Sequence, residues 1–504
     1  MNRARRRAAT LLLAAASAAA PPSPAFRARR WAAAFLCAAC AAAAAWGAPL
    51  KVLVTGDMHG WLEPRDFGAR RVGGAAEMLA RWKSAEGYAP ASFLVLSAGD
   101  VATGPALATV YDGEPAVEAM NLMGYDASAL GNHEFDFGRA ALDQLRREAR
   151  FPFLAANILG ADGKPAFPQF ALIEEQGLKI GVVGLYTMQP HQASHFDGLT
   201  VEPYQPALRR AAAAAKAAGA QVVIVLAHAA QRDMQRLARE TKDLGVALFV
   251  GGHTHEFRCE RAWDGGAWFV NAGSNFSGYV RIDLDVDPKN GAADVLEVKA
   301  VEMVGRADAP ADPAVRAEIS RWEAKLAADY GQVVAYTANG VGDGWPVYNL
   351  VSDALLAQVP EADAAIVNPH GVRQGLPPGA VTRGTVVSLL PFRNELRLVD
   401  IDGKRLAAFL RRPKPGAVWG LGGLRWEGRR WLLAKNGAPL DPSARYKILV
   451  TNYMLESMEG LAGLSGELVA DDYRLPLYAW FAAHPTSRER PLDSFVDPAP
   501  RVAP

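Results

Sequence analysis

Seven side chains of the types that bind divalent metals follow apolar segments of this 504-residue chain. Each apolar segment gives way to a short polar loop that contains one or two of them. These side chains are Asp57, His59, Asp100, Asn132, His228, His253 and His255. Imidazole and carboxylate ligands suit Zn²⁺, Mn²⁺ or Fe ions, and the set is too large for one tetrahedral site. The pattern therefore predicts two metal ions, with Asp100 as the carboxylate that bridges them.

These ligand types suit a particular reaction. Two divalent cations about 3.5–4 Å apart can hold a bridging hydroxide and clamp a phosphoryl oxygen during phosphoester hydrolysis. Each residue also has an ordinary explanation, since a histidine after a strand is more often a structural residue and Asp100 in "AGD" suits a turn or a helix cap. The repetition of metal ligands after successive apolar segments favours the metal site.

The segment "GNHEFDFG" at residues 131–138 combines the ligand Asn132 with His133, Glu134 and Asp136. A polar surface loop has the same composition, so the octet alone does not distinguish a loop from a reaction centre. Its interpretation depends on the elements that position it.

Apolar, β-rich segments alternate with helical patterns from residue 51 to about residue 287. The predicted strands are "KVLVT", "FLVLS", "KIGVVGL", "QVVIVLA" and "VALFVGG". The predicted helices cover residues 74–84, 115–123, 140–148 and 206–218, and residues 269–286 predict a hairpin that closes the domain. Buried strands that alternate with helices form a layered α/β domain, whose ligands bind beyond the carboxyl ends of the strands. The polar loops are therefore expected at one edge.

The chain divides at changes in composition, and its length favours two domains. The predicted parts are a signal peptide at residues 1–48, a first α/β domain at 49–305, a linker helix at 306–333, a second α/β domain at 334–494 and a tail at 495–504. The proline-rich tail is expected to be frayed.

Residues 1–48 combine two arginine clusters with a short apolar stretch and a small-residue site near Ala48. This pattern is typical of a secretory signal peptide, because the stretch is shorter than the roughly 20 residues that cross a bilayer. The alternatives are a retained N-terminal membrane anchor and lipidation at "LCAAC". Removal of the segment would leave Cys259 as the one cysteine, so the mature protein needs no disulfide. We expect a periplasmic or secreted protein.

The net charge of +1 gives no support for a nucleic-acid or anionic-membrane partner. No apolar run after the signal is long enough to span a membrane. The low net charge and the lack of a membrane-spanning run favour a small-molecule substrate. Neither feature determines the oligomeric state.

The order D-x-H, G-D, G-N-H-E, H and G-H-x-H resembles that of the calcineurin-like metallophosphoesterases. The octet is similar, more specifically, to that of the 5′-nucleotidase family, which includes bacterial periplasmic 5′-nucleotidase/UDP-sugar hydrolases. "NLVSDALLA", "NPHGVRQG" and "LLPFRNELRLVDIDGKRL" resemble the C-terminal domain of that family. The resemblance implies a four-layer sandwich of two packed mixed sheets flanked by helices, followed by a smaller α/β substrate-binding domain.

By position, the resemblance divides the ligands between two divalent ions, Zn, Mn or Co, that share one carboxylate. One set is Asp57, His59, Asp100 and His255, and the other is Asp100, Asn132, His228 and His253. The family often has glutamine at the position of His255, but histidine remains a good ligand.

The same resemblance gives the octet a catalytic role. His133 would stabilise the charge that develops on the phosphoryl group or on the leaving oxygen. Asp136 would orient the imidazole and fix its tautomer. Glu134 is interpreted as structural.

In the second domain, the resemblance implies that Arg373 binds the substrate phosphate, a task that suits a guanidinium fork. Asn394 is expected to face the site. Arg411, at the end of a predicted helix, is a candidate second phosphate contact, although a helix C-terminus favours cations anyway.

This chain departs from the family pattern at two motifs. "NPHG" replaces the glycine triplet of the phosphate loop, and "TNYMLESMEGLAGL" replaces the late "NGGDGF"-type motif that supplies one face of an aromatic clamp. Tyr453 is nearby but does not align with that motif. Trp419 is then the candidate for stacking on a nucleobase, although a tryptophan there is equally a good core residue.

We predict a secreted phosphoesterase that hydrolyses nucleoside 5′-monophosphates by attack of a metal-bridging hydroxide. Two alternatives use the same scaffold, a 2′,3′-cyclic-nucleotide phosphodiesterase and a sulfur-compound hydrolase. A third is a non-catalytic periplasmic binding protein, and the complete set of ligands argues against it.

Overall fold

The computed structural model describes residues 47–67, 70–188, 196, 198–305, 308–411 and 418–501. The predicted signal peptide therefore lies almost entirely outside the described residues, and so do Cys37 and Cys40. None of the described helices is long and apolar enough to cross a membrane.

Six strands form the first sheet of the N-terminal domain. Their order is Ala293–Glu302, Gly278–Val286, Ala48–Thr55, Leu94–Ser97, Ala127–Ala129 and Phe153–Leu154. The last four strands are parallel to one another, and the first two add an antiparallel edge.

Six further strands form the second sheet. Their order is Phe257–Arg261, Trp268–Ala272, Leu248–Gly251, Val222–Ala227, Leu178–Leu185 and Phe170–Glu175. The four central strands are parallel, and the outer two are antiparallel to their neighbours.

The predicted hairpin at residues 269–286 is wrong. Trp268–Ala272 belongs to the second sheet and Gly278–Val286 to the first, so the chain passes between sheets instead of turning back on itself. In the connection, the backbone N–H of Asn275 donates to the carbonyl of Asp57 at 2.9 Å. Two successive strands have the same sequence pattern whether they pair with each other or belong to different sheets. The alternation therefore does not identify the partner of each strand.

The two sheets pack face to face through an aliphatic core that includes Val52 and Leu96 from the first sheet and Val182, Ile224 and Val270 from the second. Helices cover both outer faces through two further clusters of buried apolar residues. They are Ala75–Arg81, Glu114–Met123 and Arg139–Glu148 on the first sheet, and Tyr204–Ala217 and Gln231–Glu240 on the second. This is the four-layer arrangement that the family resemblance implied.

Short elements complete this domain. Helix Ala106–Thr109 and the 3₁₀ turns Asn132–Phe135 and Lys242–Leu244 lie in loops, and the π-helical turn Trp82–Glu86 continues the first helix. The small sheets are formed by Arg65–Phe67, Arg70–Val72 and Val304–Gly305, and by Ile158–Leu159 with Thr200–Val201.

Helix Pro313–Tyr330 connects the two domains, as the amphipathic pattern predicted. It begins after Asp312, whose carboxylate accepts the backbone N–H groups of Ala314 and Val315. A carboxylate at this position satisfies N–H groups that have no partner within the helix.

The C-terminal domain is built on a five-stranded mixed sheet with apolar clusters on both faces. Its order is Gly420–Gly422, Ala364–Val367, Arg445–Thr451, Leu396–Asp402 and Gly466–Ala470. The helices are Trp345–Ala357, Arg383–Leu389, Gly403–Phe409, Asn452–Ser457 and Arg474–Ala483, followed by the 3₁₀ turn Leu492–Phe495. Two-stranded sheets join Val333–Thr337 to Gly379–Thr382 and Leu424–Glu427 to Arg430–Leu433.

The two domains are part of one compact unit, Ala48–Pro504. The backbone N–H of Ala106 donates to the hydroxyl of Ser388 at 2.8 Å, and Arg393 pairs with Asp112 at 2.5 Å. Both contacts join the N-terminal domain to the C-terminal domain beside the polar loops.

The C-terminal segment up to Arg501 is packed, so the prediction of a frayed tail is wrong for these residues. The guanidinium of Arg501 makes two hydrogen bonds to Asp353, at 2.6 and 2.8 Å, and one to the carbonyl of Leu421 at 3.0 Å. Asn349 donates to the backbone carbonyls of Asp497 and Ala499. A proline-rich composition lowers helix and strand propensity but does not prevent side-chain anchoring.

Arg501→Ala should therefore lower the free energy of unfolding of the C-terminal domain by about 1–2 kcal/mol, because it removes a forked, charge-assisted contact. Denaturant unfolding of the purified protein measures this change, with Arg430→Ala, an exposed arginine on a neighbouring strand, as the matched control. An equal midpoint for Arg501→Ala and the wild type would contradict the anchoring role.

Candidate active site

All seven predicted metal ligands lie in loops that follow parallel strands, and these loops meet at the carboxyl edge of the two sheets. Asp57 and His59 follow Ala48–Thr55, Asp100 follows Leu94–Ser97, Asn132 follows Ala127–Ala129, His228 follows Val222–Ala227, and His253 and His255 follow Leu248–Gly251. The first sheet thus contributes four of these residues and the second sheet three. Neither sheet holds the whole set.

The backbone of the ligand loops is strained. Five of the ligands have a positive φ between 47° and 74°, namely Asp57, His59, Asp100, His253 and His255. A left-handed backbone costs a residue with a side chain roughly 1–2 kcal/mol, and such strain persists where the surrounding structure enforces it. The sharp turns bring these side chains back toward the ends of the strands.

Gly131 leaves the space that Asp100 occupies. A Cβ atom at Gly131 would lie 2.1 Å from Oδ1 of Asp100 and 2.6 Å from its backbone nitrogen. The first residue of the octet is therefore a glycine because the central carboxylate packs directly against its backbone.

One group of ligands gathers around His59. Its Nε2 lies 2.9 Å from Nε2 of His255, and the latter lies 4.0 Å from the carboxylate of Asp57. The Nδ1 of His59 is 3.1 Å from the carbonyl of Thr103, to which it donates. That tautomer leaves the lone pair of His59 Nε2 directed at the group.

A second group gathers around His228, which is fully buried. Its Nδ1 donates to the carbonyl of Ala98 at 2.8 Å, and its Nε2 lies 3.2 Å from Oδ1 of Asn132. The Nδ1 of His253 lies 3.1 Å from the same Asn132 oxygen. Three potential ligand atoms therefore converge on one point.

Asp100 joins the two groups. Its Oδ2 lies 3.2 Å from Nε2 of His228 and 3.9 Å from Nε2 of His59. Its Oδ1 accepts the backbone N–H of His133 at 2.9 Å, which fixes the orientation of the carboxylate. Asp100 thus has the central position that its place in the sequence predicted.

The electrostatics of these side chains fit divalent cations. Asp57 and Asp100 are almost fully buried, and burial raises the pKa of Asp57 to about 7. Burial and the guanidinium of Arg373 lower the pKa of both His59 and His255, so these imidazoles are neutral. Buried carboxylates beside neutral imidazoles are what a cation requires of its ligands.

His133 and Asp136 form a separate pair next to the ligands. The Nδ1 of His133 lies 2.6 Å from Oδ2 of Asp136, so that carboxylate orients the ring. Burial disfavours the charged imidazole, but the carboxylates of Asp136 and Asp100 outweigh it and raise the pKa of His133. The pair has the geometry of an oriented proton donor.

Glu134 has the structural role that the sequence predicted. It is buried, and its carboxylate accepts the backbone N–H groups of Asp100, Val101 and Gly131 at 3.0, 2.6 and 2.5 Å. This residue of the octet therefore ties the octet to the loop of the preceding strand.

A cavity of about 570 Å³ extends from the ligands to the C-terminal domain. Its lining residues are Asp100, Asn132, His133, Asp136, His253, Thr254, His255, Asn368, Pro369, His370, Arg373, Phe392, Asn394 and Tyr453. Arg373, predicted to bind phosphate, reaches the metal ligands, with a guanidinium nitrogen 3.4 Å from Nδ1 of His59. Asn394 also lines the cavity, as predicted.

The structure places two predicted substrate-binding residues elsewhere. Trp419 is packed in an apolar cluster against Phe409, with ring centroids 5.4 Å apart, and does not line this cavity. Arg411 is exposed and likewise is not among the described lining residues. For Trp419, position along the chain gave the neighbourhood of the side chain but not its direction.

Two aromatic residues that sequence reasoning did not assign to the site line the cavity. Phe392 stacks on His133 with centroids 5.8 Å apart, and the guanidinium of Arg373 lies 5.4 Å from the Phe392 centroid. Tyr453 follows strand Arg445–Thr451 and lines the same cavity. The signals were present, since Phe392 shares "PFRN" with Asn394 and Tyr453 lies at the carboxyl end of a strand.

Comparison with known families agrees with this geometry. Residues 50–257 match the family model of the calcineurin-like phosphoesterases, and residues 335–465 match that of the 5′-nucleotidase C-terminal domain. The two matches span about two thirds of the chain, so the fold and the site define a metal-dependent phosphoester hydrolase. The chain belongs to the 5′-nucleotidase family.

Individual relatives show the same organisation. The 5′-nucleotidase of Rattus norvegicus is 25% identical, with 84% of this chain and 85% of that protein covered. A 5′-nucleotidase precursor from Thermus thermophilus has a similar structure, with a TM-score of 0.74 at 23% identity over 87% of this chain and 97% of that one. A sulfate thiohydrolase, SoxB, from Thermus thermophilus shares the fold at a TM-score of 0.71 and 21% identity, over 91% and 96% of the chains.

Gly131→Ala should displace Asp100 and lower the content of bound metal, because the new methyl group would overlap the carboxylate. Metal analysis of the purified protein after dialysis measures the change. Gly342→Ala is the matched control, since a Cβ there has no neighbour within 4 Å. Wild-type metal content in Gly131→Ala would contradict the central role of Asp100.

Proposed function

We propose that the protein is an exported 5′-nucleotidase that hydrolyses nucleoside 5′-monophosphates with the help of two divalent metal ions. The observation that supports this proposal is the cavity, which joins two groups of ligands around Asp100 to an arginine and two aromatic rings. The ligand groups and the arginine suit the phosphate of a nucleotide, and the aromatic rings suit its base.

The two ions would be held by the groups around His59 and His228, with Asp100 shared between them. When bound, such ions activate a water nucleophile and neutralise charge on the phosphoryl oxygens. Their identity among Zn, Mn and Co stays open, since imidazole and carboxylate ligands accept each of them.

Arg373 would orient the phosphoryl group. Its guanidinium lies within reach of His59 and is held over the face of Phe392. A planar fork that is fixed by an aromatic ring binds two phosphoryl oxygens in one orientation. The phosphorus atom would then lie between the C-terminal domain and the candidate metal ligands.

His133 would donate the proton that the leaving group needs. Hydrolysis breaks the bond between phosphorus and the 5′-oxygen and forms a bond between phosphorus and the oxygen of water. The 5′-oxygen takes a proton from Nε2 of His133, and the proton that water releases restores the protonated imidazole. Asp136 holds Nδ1 and thereby directs Nε2 to the substrate. The products are a nucleoside and inorganic phosphate.

Phe392 and Tyr453 would hold the nucleobase, because they are the aromatic rings on the cavity wall other than the histidines. Every base has an aromatic face, so stacking tolerates all of them and contributes roughly 1–3 kcal/mol in single-strand binders. A nucleobase needs an aromatic surface of this kind, whereas a small sulfur compound does not. The arrangement therefore favours a nucleotidase over a sulfur-compound hydrolase.

Export rests on residues 1–48, which lie almost entirely outside the described structure. The arginine clusters, the short apolar stretch and the small-residue site support a signal peptide that is removed.

The metal-loaded enzyme should hydrolyse AMP, GMP, CMP and UMP with similar kcat/KM, because no base-specific contact is needed for stacking. Removal of the ions with a chelator should abolish this activity, and Mn²⁺ or Co²⁺ should restore it. A panel that includes 2′,3′-cyclic AMP and thiosulfate tests the alternatives. Full activity in a verified metal-free preparation, or cleavage of the cyclic nucleotide alone, would refute the proposal.

His133→Ala should slow turnover by about 10²–10⁴-fold while the metals stay bound, because it removes a proton donor that binds no metal. Asp100→Ala should instead lose metal. Steady-state kinetics and metal analysis of both variants separate these roles, with His484→Ala, a histidine of the C-terminal domain outside the cavity lining, as the control. An empty site in His133→Ala with both ions kept in Asp100→Ala would reverse the assignment.

A further inference from the structure

His370 lines the cavity on the same loop as Arg373, and the mechanism above does not use it. Its side chain is exposed on the cavity wall. The residue belongs to "NPHG", the segment that departs from the glycine triplet of the family, so its imidazole is a particular feature of this chain.

The backbone of His370 is in the left-handed region, with φ at 64°. Glycine would adopt this conformation without strain, whereas a Cβ atom makes it unfavourable. The next residue, Gly371, has no room for a side chain, because a Cβ there would lie 2.9 Å from Oδ1 of Asn368. A strained imidazole at a position that suits glycine indicates a role for the side chain, since such strain concentrates at ligand-binding sites.

The loop holds His370 in a fixed place. The hydroxyl of the buried residue Tyr348 accepts the backbone N–H of Val372 at 3.4 Å and lies 3.3 Å from its carbonyl. The backbone N–H of Arg373 donates to the carbonyl of Leu389 at 3.0 Å. The imidazole and the guanidinium are therefore presented to the cavity by one anchored segment.

The surroundings of His370 suit an anion. Partial desolvation of the ring by the cavity wall and the nearby guanidinium of Arg373 lower the pKa of His370, so the free imidazole is neutral and offers one N–H donor. A donor beside a guanidinium is an arrangement that oxygen anions favour.

We propose that His370 is a substrate-binding residue that donates a hydrogen bond to the phosphoryl group held by Arg373. The proposal rests on the proposed function only in that the cavity binds phosphate esters. It assigns to this enzyme a second phosphate contact in the C-terminal domain, at a loop position where the family pattern has a glycine.

The test is His370→Gly, which removes the imidazole and relieves the backbone strain. We expect the inhibition constant of inorganic phosphate to rise about tenfold, because a hydrogen bond to a charged group is lost. The kcat/KM for AMP and for 4-nitrophenyl phosphate should fall by about the same factor, since both esters share the phosphoryl group.

Arg429→Gly is the matched control. Arg429 also has a left-handed backbone, with φ at 67°, and lies between strands Leu424–Glu427 and Arg430–Leu433, outside the cavity lining. The Arg429→Gly substitution should relieve the same kind of backbone strain and leave the kinetic constants unchanged. Thermal melting of both variants verifies that they are folded, and His370→Ala, which also removes the N–H donor, replaces His370→Gly if the latter does not fold.

An unchanged inhibition constant for phosphate would overturn the proposal, and so would a loss confined to AMP, which would place His370 at the nucleoside. If the wild type cleaves 4-nitrophenyl phosphate but no nucleotide, the nucleotidase function fails. The role of His370 is then still measured with the synthetic ester and inorganic phosphate.

Discussion

The structure depends on the burial of two carboxylates, Asp57 and Asp100, at the point where two sheets end. Negative charge that is removed from water is unfavourable unless cations or hydrogen-bond donors compensate it. The surrounding chain supplies donors, since the backbone N–H groups of His133 and His253 donate to the two carboxylates, and imidazoles beside them complete the groups that could hold cations. The left-handed turns, the bare backbone of Gly131 and the buried Glu134 are all consequences of crowding these groups together.

The two domains contribute different groups to the candidate site. The N-terminal domain provides the candidate metal ligands and the oriented imidazole of His133, and the C-terminal domain provides the guanidinium of Arg373 and the aromatic rings. Phe392 lies near both contributions, because its ring stacks on His133 of the N-terminal domain and lies 5.4 Å from the guanidinium of Arg373. The site is therefore complete only when the two domains are together.

The sequence was sufficient for the fold class and for the meeting of the seven candidate ligands at one edge, because parallel strands that end in polar loops must present those loops there. The sequence was insufficient where the structure depends on contacts between residues that are distant in the chain. Ala48–Thr55 begins three residues before the predicted strand, since its pairing with Gly278–Val286 continues to Ala48. The false hairpin at 269–286, the packed tail at Arg501 and the inward direction of Trp419 have the same origin, because long-range contacts decide them and local pattern does not.

The origin of the ligands in both sheets has a consequence for folding. Asp57 and His255 are about 200 residues apart in the chain and belong to different layers of the sandwich. An ion that binds both acts as a cross-link that only the folded chain can form, so its binding energy adds to the stability of the native state by mass action. The strained loops and buried charges weaken the native state until that cross-link forms. If Asp57 and His255 share an ion, metal supply where the protein folds would determine how much native enzyme accumulates, in addition to supporting turnover.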